Sequence, residues 1–388
     1  MKIKSVEVKN FKSLLDFKIN LSQFTCLIGL NGSGKSTVLQ CIDFVSQLVI
    51  GDMEGWLAER KWENSDLKSK LSKKSNIYCK LTFSGDKGQE IGFWKVNYNP
   101  SKHRCTREEI KVYKDNVVVK DGKYHINSTD KAKITFDYEG SILSVLKEDL
   151  LPPSILELKN LLKEVQSLDL LSPEQLRQRT RHSSGSLGLG GQKLASFLHE
   201  IAPSNLNELT TKLKKVYPQL EFLGVKSLRS GWKELGITEN YQGYMNGSQG
   251  LFPRMMTKAR HVNDGMLRLI AILAELHSKH SFLLFDEIEN GINPELIEFV
   301  IDSLVTTDKQ LLVTTHSPLI LNYLSDDVAT DGVIYLYKTL EGQTKAVPFF
   351  AIPSMAEKLT VMGPGEVFVD TILTELQDEI QFMVNEEL

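Results

Sequence analysis

Nine consecutive residues, Gly29-Leu30-Asn31-Gly32-Ser33-Gly34-Lys35-Ser36-Thr37, carry the spacing G-x-x-x-x-G-K-[ST]. Glycines at these positions let the backbone curl so that several N–H groups face one phosphate. A helix opening at Lys35 would turn its positive end on the same group. Lys35 would reach the β and γ phosphates, the Ser36 hydroxyl would ligate magnesium, and Thr37 would bond the α phosphate. The motif predicts ATP and Mg2+ as ligands, with Asn31, Gly32, Ser33, Gly34, Lys35, Ser36 and Thr37 in contact with the nucleotide, and hydrolysis of ATP to ADP and phosphate. A plain glycine turn is the competing reading. It does not explain the apolar strand Thr25–Ile28 before the loop or the apolar-striped helix after it.

Two further clusters supply the groups such a reaction needs. Phe282-Leu283-Leu284-Phe285 is a buried strand, and Asp286 and Glu287 stand at its C-terminal end, where open α/β sheets place their ligands. Asp286 would complete the magnesium shell. Glu287 would act as general base on the attacking water. Leu311-Leu312-Val313-Thr314-Thr315-His316 is a second buried strand ending in a polar cluster. His316, one step past it, could donate a hydrogen bond to the γ phosphate.

These groups need elements to hold them. The chain has 388 residues, 41% hydrophobic and 24% charged, the ordinary globular mix and enough for one large domain or two. No run of eighteen apolar residues suggests a membrane span, and the N-terminus reads as a strand (Ile3, Val6 and Val8 alternating with Lys4, Glu7 and Lys9) and not a secretory signal. Cys26, Cys41, Cys79 and Cys105 fit no zinc or redox spacing and read as small core residues. A cytoplasmic location is expected. The net charge of −3 excludes a uniformly basic nucleic-acid binder, though basic clusters occur at 68–80, 102–114, 177–182 and 254–260.

Hydrophobic periodicity orders the rest. Two strands joined by a turn at 10–15 lead into Thr25–Ile28. A helix runs from Lys35 to about Ile50, with Val38, Leu39, Ile42, Val45 and Leu48 at helical spacing. Short alternating strands near 76–84, 91–98, 109–120 and 133–138 suggest an antiparallel sheet. The pattern becomes helical from about 141 to 220, without enough heptads for a long coiled coil, and 236–252 reads as a loop. Strand and helix alternate again after Asp264, which predicts that the first and last thirds share a sheet. The expected organisation is an N-terminal lobe at 1–140, a mainly helical insertion at 141–255, a C-terminal lobe at 256–350 and an acidic helical tail at 351–388.

With these motifs in place, the chain resembles ABC-type ATPase heads of the branch shared by SMC, RecF and OLD-like proteins, and the small AAA/ABC ATPases of bacterial defence systems (retron, Septu-like, abortive-infection). The implied fold is α/β, a P-loop NTPase of ABC-head type, with a mixed sheet, an antiparallel β lobe, a helical insertion and no long coiled coil. Val8-Lys9-Asn10-Phe11-Lys12-Ser13 is similar to the branch's "NFRS" start, which would put Lys12 near the phosphates. Asn263-Asp264-Gly265-Met266-Leu267-Arg268-Leu269 resembles its S-D/E-G-x-x-R-L signature, with Asn263 in place of serine. In such heads that loop comes from a second subunit and closes over the γ phosphate, so Asn263 and Gly265 join the nucleotide-binding set. The resemblance also covers 289–294 and Gly365-Glu366-Val367-Phe368, and makes Gln192 a candidate magnesium sensor.

The implied partners are a second copy of the chain, or a higher assembly of dimers, and a separately encoded effector. About seventy residues follow Ser317, fewer than an appended nuclease domain needs, so any cutting is expected from that effector. Three uses of the ATPase are distinguished: the regulatory subunit of an antiphage defence system, a RecF- or SMC-like DNA-handling ATPase with nucleic acid as ligand, and a transporter's ATP-binding subunit. The antiparallel strands, the helical insertion and the N-terminal start disfavour the last.

Overall fold

A computed structural model describes residues 1–240, 242–245, 248–251, 255–373, 376, 379, 380 and 383. The chain divides into two compact units, one formed by 1–165 with 310–388 and the other by 166–309. The sequence expectation placed boundaries at 140, 255 and 350; in the structure the chain leaves the first unit once and returns once.

The first unit opens with β1 (Lys2–Phe11) and β2 (Leu14–Asn20), followed by β3 (Phe24–Ile28), all five residues of which are buried. The phosphate-loop segment follows, then α1 (Lys35–Ile50). A loop carries α2 (Met53–Arg60) and the short α3 (Asn64–Leu67). Then come β4 (Ile77–Ser84), β5 (Glu90–Asn99), β6 (Arg104–Val112), β7 (Asp115–Lys120), β8 (Lys123–Ile126) and β9 (Ala132–Lys133). These strands form one eight-stranded sheet in the order β2-β1-β4-β5-β6-β7-β8-β9, with antiparallel pairing throughout. Its inward face meets α1 through Phe44, whose ring lies 5.3 Å from Phe11 and 5.1 Å edge-on from Tyr98. α4 (Pro153–Lys163) packs on the same helix. So α1 is buried on several faces, and its Asp43 is buried with it. Asp43 is satisfied by Arg60 Nη2 at 2.5 Å and Trp56 Nε1 at 2.8 Å; a buried carboxylate without such partners would be costly.

The second unit begins within β10 (Val165–Leu168) and contains α5 (Pro173–Leu176), α6 (Leu194–Glu200) and α7 (Pro203–Val216). The segment expected to be mainly helical then turns to strand. β11 (Leu220–Ser227), β12 (Lys233–Glu239) and β15 (Met255–Lys258) form an antiparallel sheet, and β13 (Gln242–Met245) pairs with β14 (Ser248–Leu251). The stretch 236–252, read as a loop, therefore carries strands. Residues 241, 246, 247 and 252 lie outside the described residues, as does Arg254 of the basic cluster. α8 (Asp264–Glu275) packs on α5 and α7, β16 (Phe282–Phe285) is wholly buried, and α9 (Ile297–Val305) closes the unit.

The chain returns to the first unit as β17 (Gln310–Thr314). It continues through α10 (Pro318–Asn322), α11 (Asp326–Gly332), β18 (Val333–Lys338), β19 (Thr344–Pro348), α12 (Pro353–Leu359) and α13 (Pro364–Val369). β3 pairs in parallel with both β17 and β18, so the first and last thirds do share a sheet. Of the acidic tail, Glu375, Asp378, Glu386 and Glu387 lie outside the described residues; Glu379 is described and accepts from the Ser354 amide and hydroxyl at 3.1 and 2.5 Å. All four cysteines are buried and free.

Candidate functional site

In the first unit, the chain leaves β3 into a loop that only glycine can complete. Gly29, Gly32 and Gly34 have φ of 141°, 77° and 112°, conformations that other L residues rarely adopt. A side chain at Gly29 would collide with the Leu336 carbonyl, and one at Gly34 with the Thr344 hydroxyl. The Lys35 ammonium lies within the turn and donates to the carbonyls of Gly29 at 2.8 Å and Leu30 at 3.3 Å. Ser33 is 3% exposed, and its Oγ has no hydrogen-bond partner. A buried hydroxyl left without a partner in a turn of this kind suits an anion. Ser36 is exposed and Thr37 half-buried at the start of α1. The loop is braced from far along the chain: Thr344 Oγ1 donates to the Ser33 carbonyl at 2.8 Å and also lies 2.8 Å from Ser13 Oγ.

Lys12 stands one residue before Ser13 with a left-handed φ of 46°. Its Nζ donates to Gln40 Oε1 on α1 at 2.8 Å and lies 3.2 Å from the centroid of the Trp62 ring. Burial pushes its pKa down to about 8, against the opposing pull of Asp66. A cavity of about 570 Å³ opens here, lined by Lys12, Ser13, Trp62, Asp66, Lys68 and Leu71 among others. That size suits a small organic ligand.

His316 belongs to the same unit. The register sets Thr314 of β17 beside Leu27 of β3, and the Thr315 amide donates to the Leu27 carbonyl at 3.2 Å. His316 therefore emerges at the sheet edge from which the glycine loop also departs, and it is exposed. Ser317 caps α10 with its Oγ.

The second unit gathers the carboxylates. Asp286 follows β16, and its amide donates to the Leu168 carbonyl at 3.2 Å. Glu287 has a positive φ of 46°, and Asn290 Nδ2 donates to its Oε2 at 3.0 Å. Asp169 is raised above the usual carboxylate range by burial, reinforced by the charges of Asp286 and Glu287. Arg268 on α8 is 4% exposed. Burial lowers its pKa, while Asp169, Glu287, Asp264 and Glu289 favour its charge. A buried guanidinium among four carboxylates thus offsets part of their negative charge.

The residues resembling a signature lie in this unit. Asn263 is exposed and caps α8, its Oδ1 accepting from the Met266 amide at 2.8 Å. Arg177 pairs with Asp264 and donates to the Val262 carbonyl at 2.8 Å. A Cβ at Gly265 would stand 2.7 Å from the Gly291 carbonyl oxygen, so the helix start and the 289–294 segment meet backbone to backbone. Gln192 Oε1 accepts from the Gly190 amide at 3.0 Å. The structure thus groups Lys12, the glycine loop and His316 in one unit, and Asp286, Glu287, Asn263, Gly265 and Gln192 in the other. Trp62, Thr344 and Asp169 were not expected from sequence; no local pattern surrounds them.

Residues 1–166 match the family model described as an AAA ATPase domain, and residues 257–322 the one described as "AAA domain, putative AbiEii toxin, Type IV TA system". The chain is 43% identical over 51 residues to an OLD nuclease of Thermus scotoductus, covering 13% of this chain and 9% of that protein. It is 26% identical over 178 residues to structural maintenance of chromosomes protein 1 of Arabidopsis thaliana, covering 45% and 14%. The chain thus spans only a small part of these relatives. Among solved structures, an Smc head bound to the C-terminal winged-helix domain of ScpA aligns with a TM-score of 0.52 at 17% identity, over 89% of this chain and 97% of that one. An Smc head from Pyrococcus furiosus with an extended coiled coil, bound to the C-terminal domain of ScpA, gives 0.51 at 14% over 92% and 99%. The fold is SMC-head-like and of P-loop NTPase type, here without a long coiled coil among the described residues, and the domain matches support ATPase activity. No helix among the described residues is long and apolar enough to cross a membrane.

Proposed function

We propose that this chain hydrolyses ATP as a dimer that closes on the nucleotide, and that the closure regulates a separately encoded effector, a nuclease, in bacterial antiphage defence. The observation that carries the ATPase reading is the glycine loop with the buried, unpartnered Ser33 Oγ and the Lys35 ammonium inside its turn. Backbone amides of the loop and Lys35 bind the phosphates. Ser36 and Asp286 are the residues suited to hold magnesium, which would supply charge neutralisation at the phosphates. Glu287 takes the proton of the attacking water, His316 donates a hydrogen bond to the γ phosphate, and Lys12 adds positive charge. Asn263 and Gly265 of a second copy close the pocket. Gln192 is a candidate for reporting metal occupancy from its loop.

The defence reading draws support from the toxin–antitoxin description of the matched family at 257–322 and from the OLD nuclease match. A second reading, DNA handling, is favoured by the likeness of fold to Smc heads and by the basic clusters. The deciding experiment has two arms. Glu287→Gln with ATP should shift to dimer mass, while Lys35→Ala stays monomeric and does not hydrolyse ATP; a monomer for Glu287→Gln at high concentration rejects the sandwich. ATP-dependent, salt-sensitive binding of DNA by the chain alone, with no phage protection lost in Lys35→Ala cells, would select the DNA-handling reading.

A further inference from the structure

Away from the glycine loop, three segments of the first unit bring a histidine and two carboxylates to one point: Glu54 on α2, His103 at the β5–β6 turn, and Glu139 before the Gly140 turn. One ligand atom from each lies within 4.8 Å of the others. His103 Nδ1 is 3.8 Å from Glu54 Oε1 and 3.9 Å from Glu139 Oε1. Both separations exceed hydrogen-bond length. They are close to the ~3.4 Å between neighbouring donors of a tetrahedral cation with bonds of about 2.1 Å.

The backbone holds these donors in place. The Gly140 amide donates to the His103 carbonyl at 2.7 Å, and the Cys105 amide to the Gly140 carbonyl at 2.7 Å, so the histidine and Glu139 segments are tied side by side. Glu139 Oε2 accepts from the Met53 and Glu54 amides at 2.8 and 3.3 Å, which leaves Oε1 facing His103. Ser144 Oγ bonds the Glu139 carbonyl at 3.0 Å.

The second observation is Asn64. Its amide lies 2.5 Å from His103 Nε2, and its Oδ1 is buried with no partner. Oxygen and nitrogen of such an amide are interchangeable by a flip. Turned over, Oδ1 would accept from Nε2–H. In that orientation Nδ1 would carry the lone pair, aimed between two carboxylates, as in histidines that ligate metals and donate their other nitrogen to an outer partner.

We propose that Glu54, His103 and Glu139 form a site for a divalent transition-metal cation of zinc type, with water completing the shell. One imidazole nitrogen with two carboxylate oxygens suits zinc; magnesium prefers an all-oxygen shell. The ion would staple α2 to the β5–β6 turn and so steady the 52–67 segment that carries Trp62.

The test uses the full chain stripped of metal with a chelator. ZnCl2 titrated without nucleotide should bind one ion per chain, and cobalt(II) should give the visible absorption of a tetrahedral centre. His103→Ala should weaken zinc by about tenfold or more. Glu54→Gln, a change at a side chain 76% exposed, should do so with the circular dichroism spectrum unaltered. Lys35→Ala should bind zinc as the wild type does, separating this site from the nucleotide's. Failure of the wild type to bind zinc at about 100-fold excess over protein, or binding unchanged in His103→Ala and Glu54→Gln, overturns the proposal.

Discussion

The Lys12 ammonium sits 3.2 Å from the centre of the Trp62 ring while donating to Gln40. Burial lowers its pKa to about 8, so its charge is lost within an accessible range. If Lys12 supplies positive charge to the nucleotide, affinity for ATP must fall as pH rises from 7 to 9, because the free protein then passes from mostly protonated to mostly neutral at this site. The expected loss is about tenfold. Arginine stays charged throughout, so Lys12→Arg should bind ATP with a flat profile over the same range. Equal slopes for the two proteins, by fluorescence titration, would place Lys12 outside the nucleotide site.

Gly265 yields a prediction about closure. Its Cα faces the Gly291 carbonyl with no room for a methyl group, since the added carbon would lie 2.7 Å from that oxygen. Gly265→Ala must push the start of α8 away from 289–294 at a cost of about 1–3 kcal/mol. Hydrolysis should fall by about tenfold to a hundredfold, because small displacements of positioning groups carry such penalties. ATP binding by an isolated copy should change little, as the glycine loop lies in the other unit. A turnover rate within about twofold of wild type would remove this loop from the catalytic arrangement.

What could be read in advance follows how local each feature is. Gly29 to Thr37 is a contiguous motif whose geometry depends on its own glycines, and Phe282–Phe285 with Asp286 and Glu287 is contiguous too. Both elements therefore emerged where the sequence pattern put them. Thr344 stands 311 positions from Ser33, and no spacing rule announces that its hydroxyl braces the loop. Asp169 likewise acquires its raised pKa only when folding buries it near Asp286 and Glu287. In the second unit β11 was missed because its burial does not alternate: Phe222 is 47% exposed while Leu223 and Gly224 are both buried. A strand without period two gives little signal. The helical pattern expected from about 141 to 220 is met at 153–163 and 203–216, whose apolar stripes keep 3.6-residue spacing, whereas 165–168 forms β10.

Glu108 gives a pH prediction that is independent of nucleotide. It is 1% exposed on β6. Its Oε2 accepts from Ser141 Oγ at 2.5 Å and Trp94 Nε1 at 3.3 Å, and its Oε1 from the Ile142 amide at 2.7 Å. Burial raises its pKa from 4.5 to about 7, and the three donors only partly offset that. Between these values the folded protein binds the proton and the unfolded chain does not. Stability from this group is therefore fully present below about pH 4.5 and is lost as pH rises to about 7, a change of about 3 kcal/mol. Gln at this position cannot titrate, although its amide nitrogen would face one of the donors and lower the overall stability. The thermal midpoint of Glu108→Gln relative to wild type should therefore rise steadily from pH 5 to pH 7 and level off above it. A difference that stays constant across that range would mean that Glu108 is ionised in the folded protein throughout, with its three donors outweighing its burial.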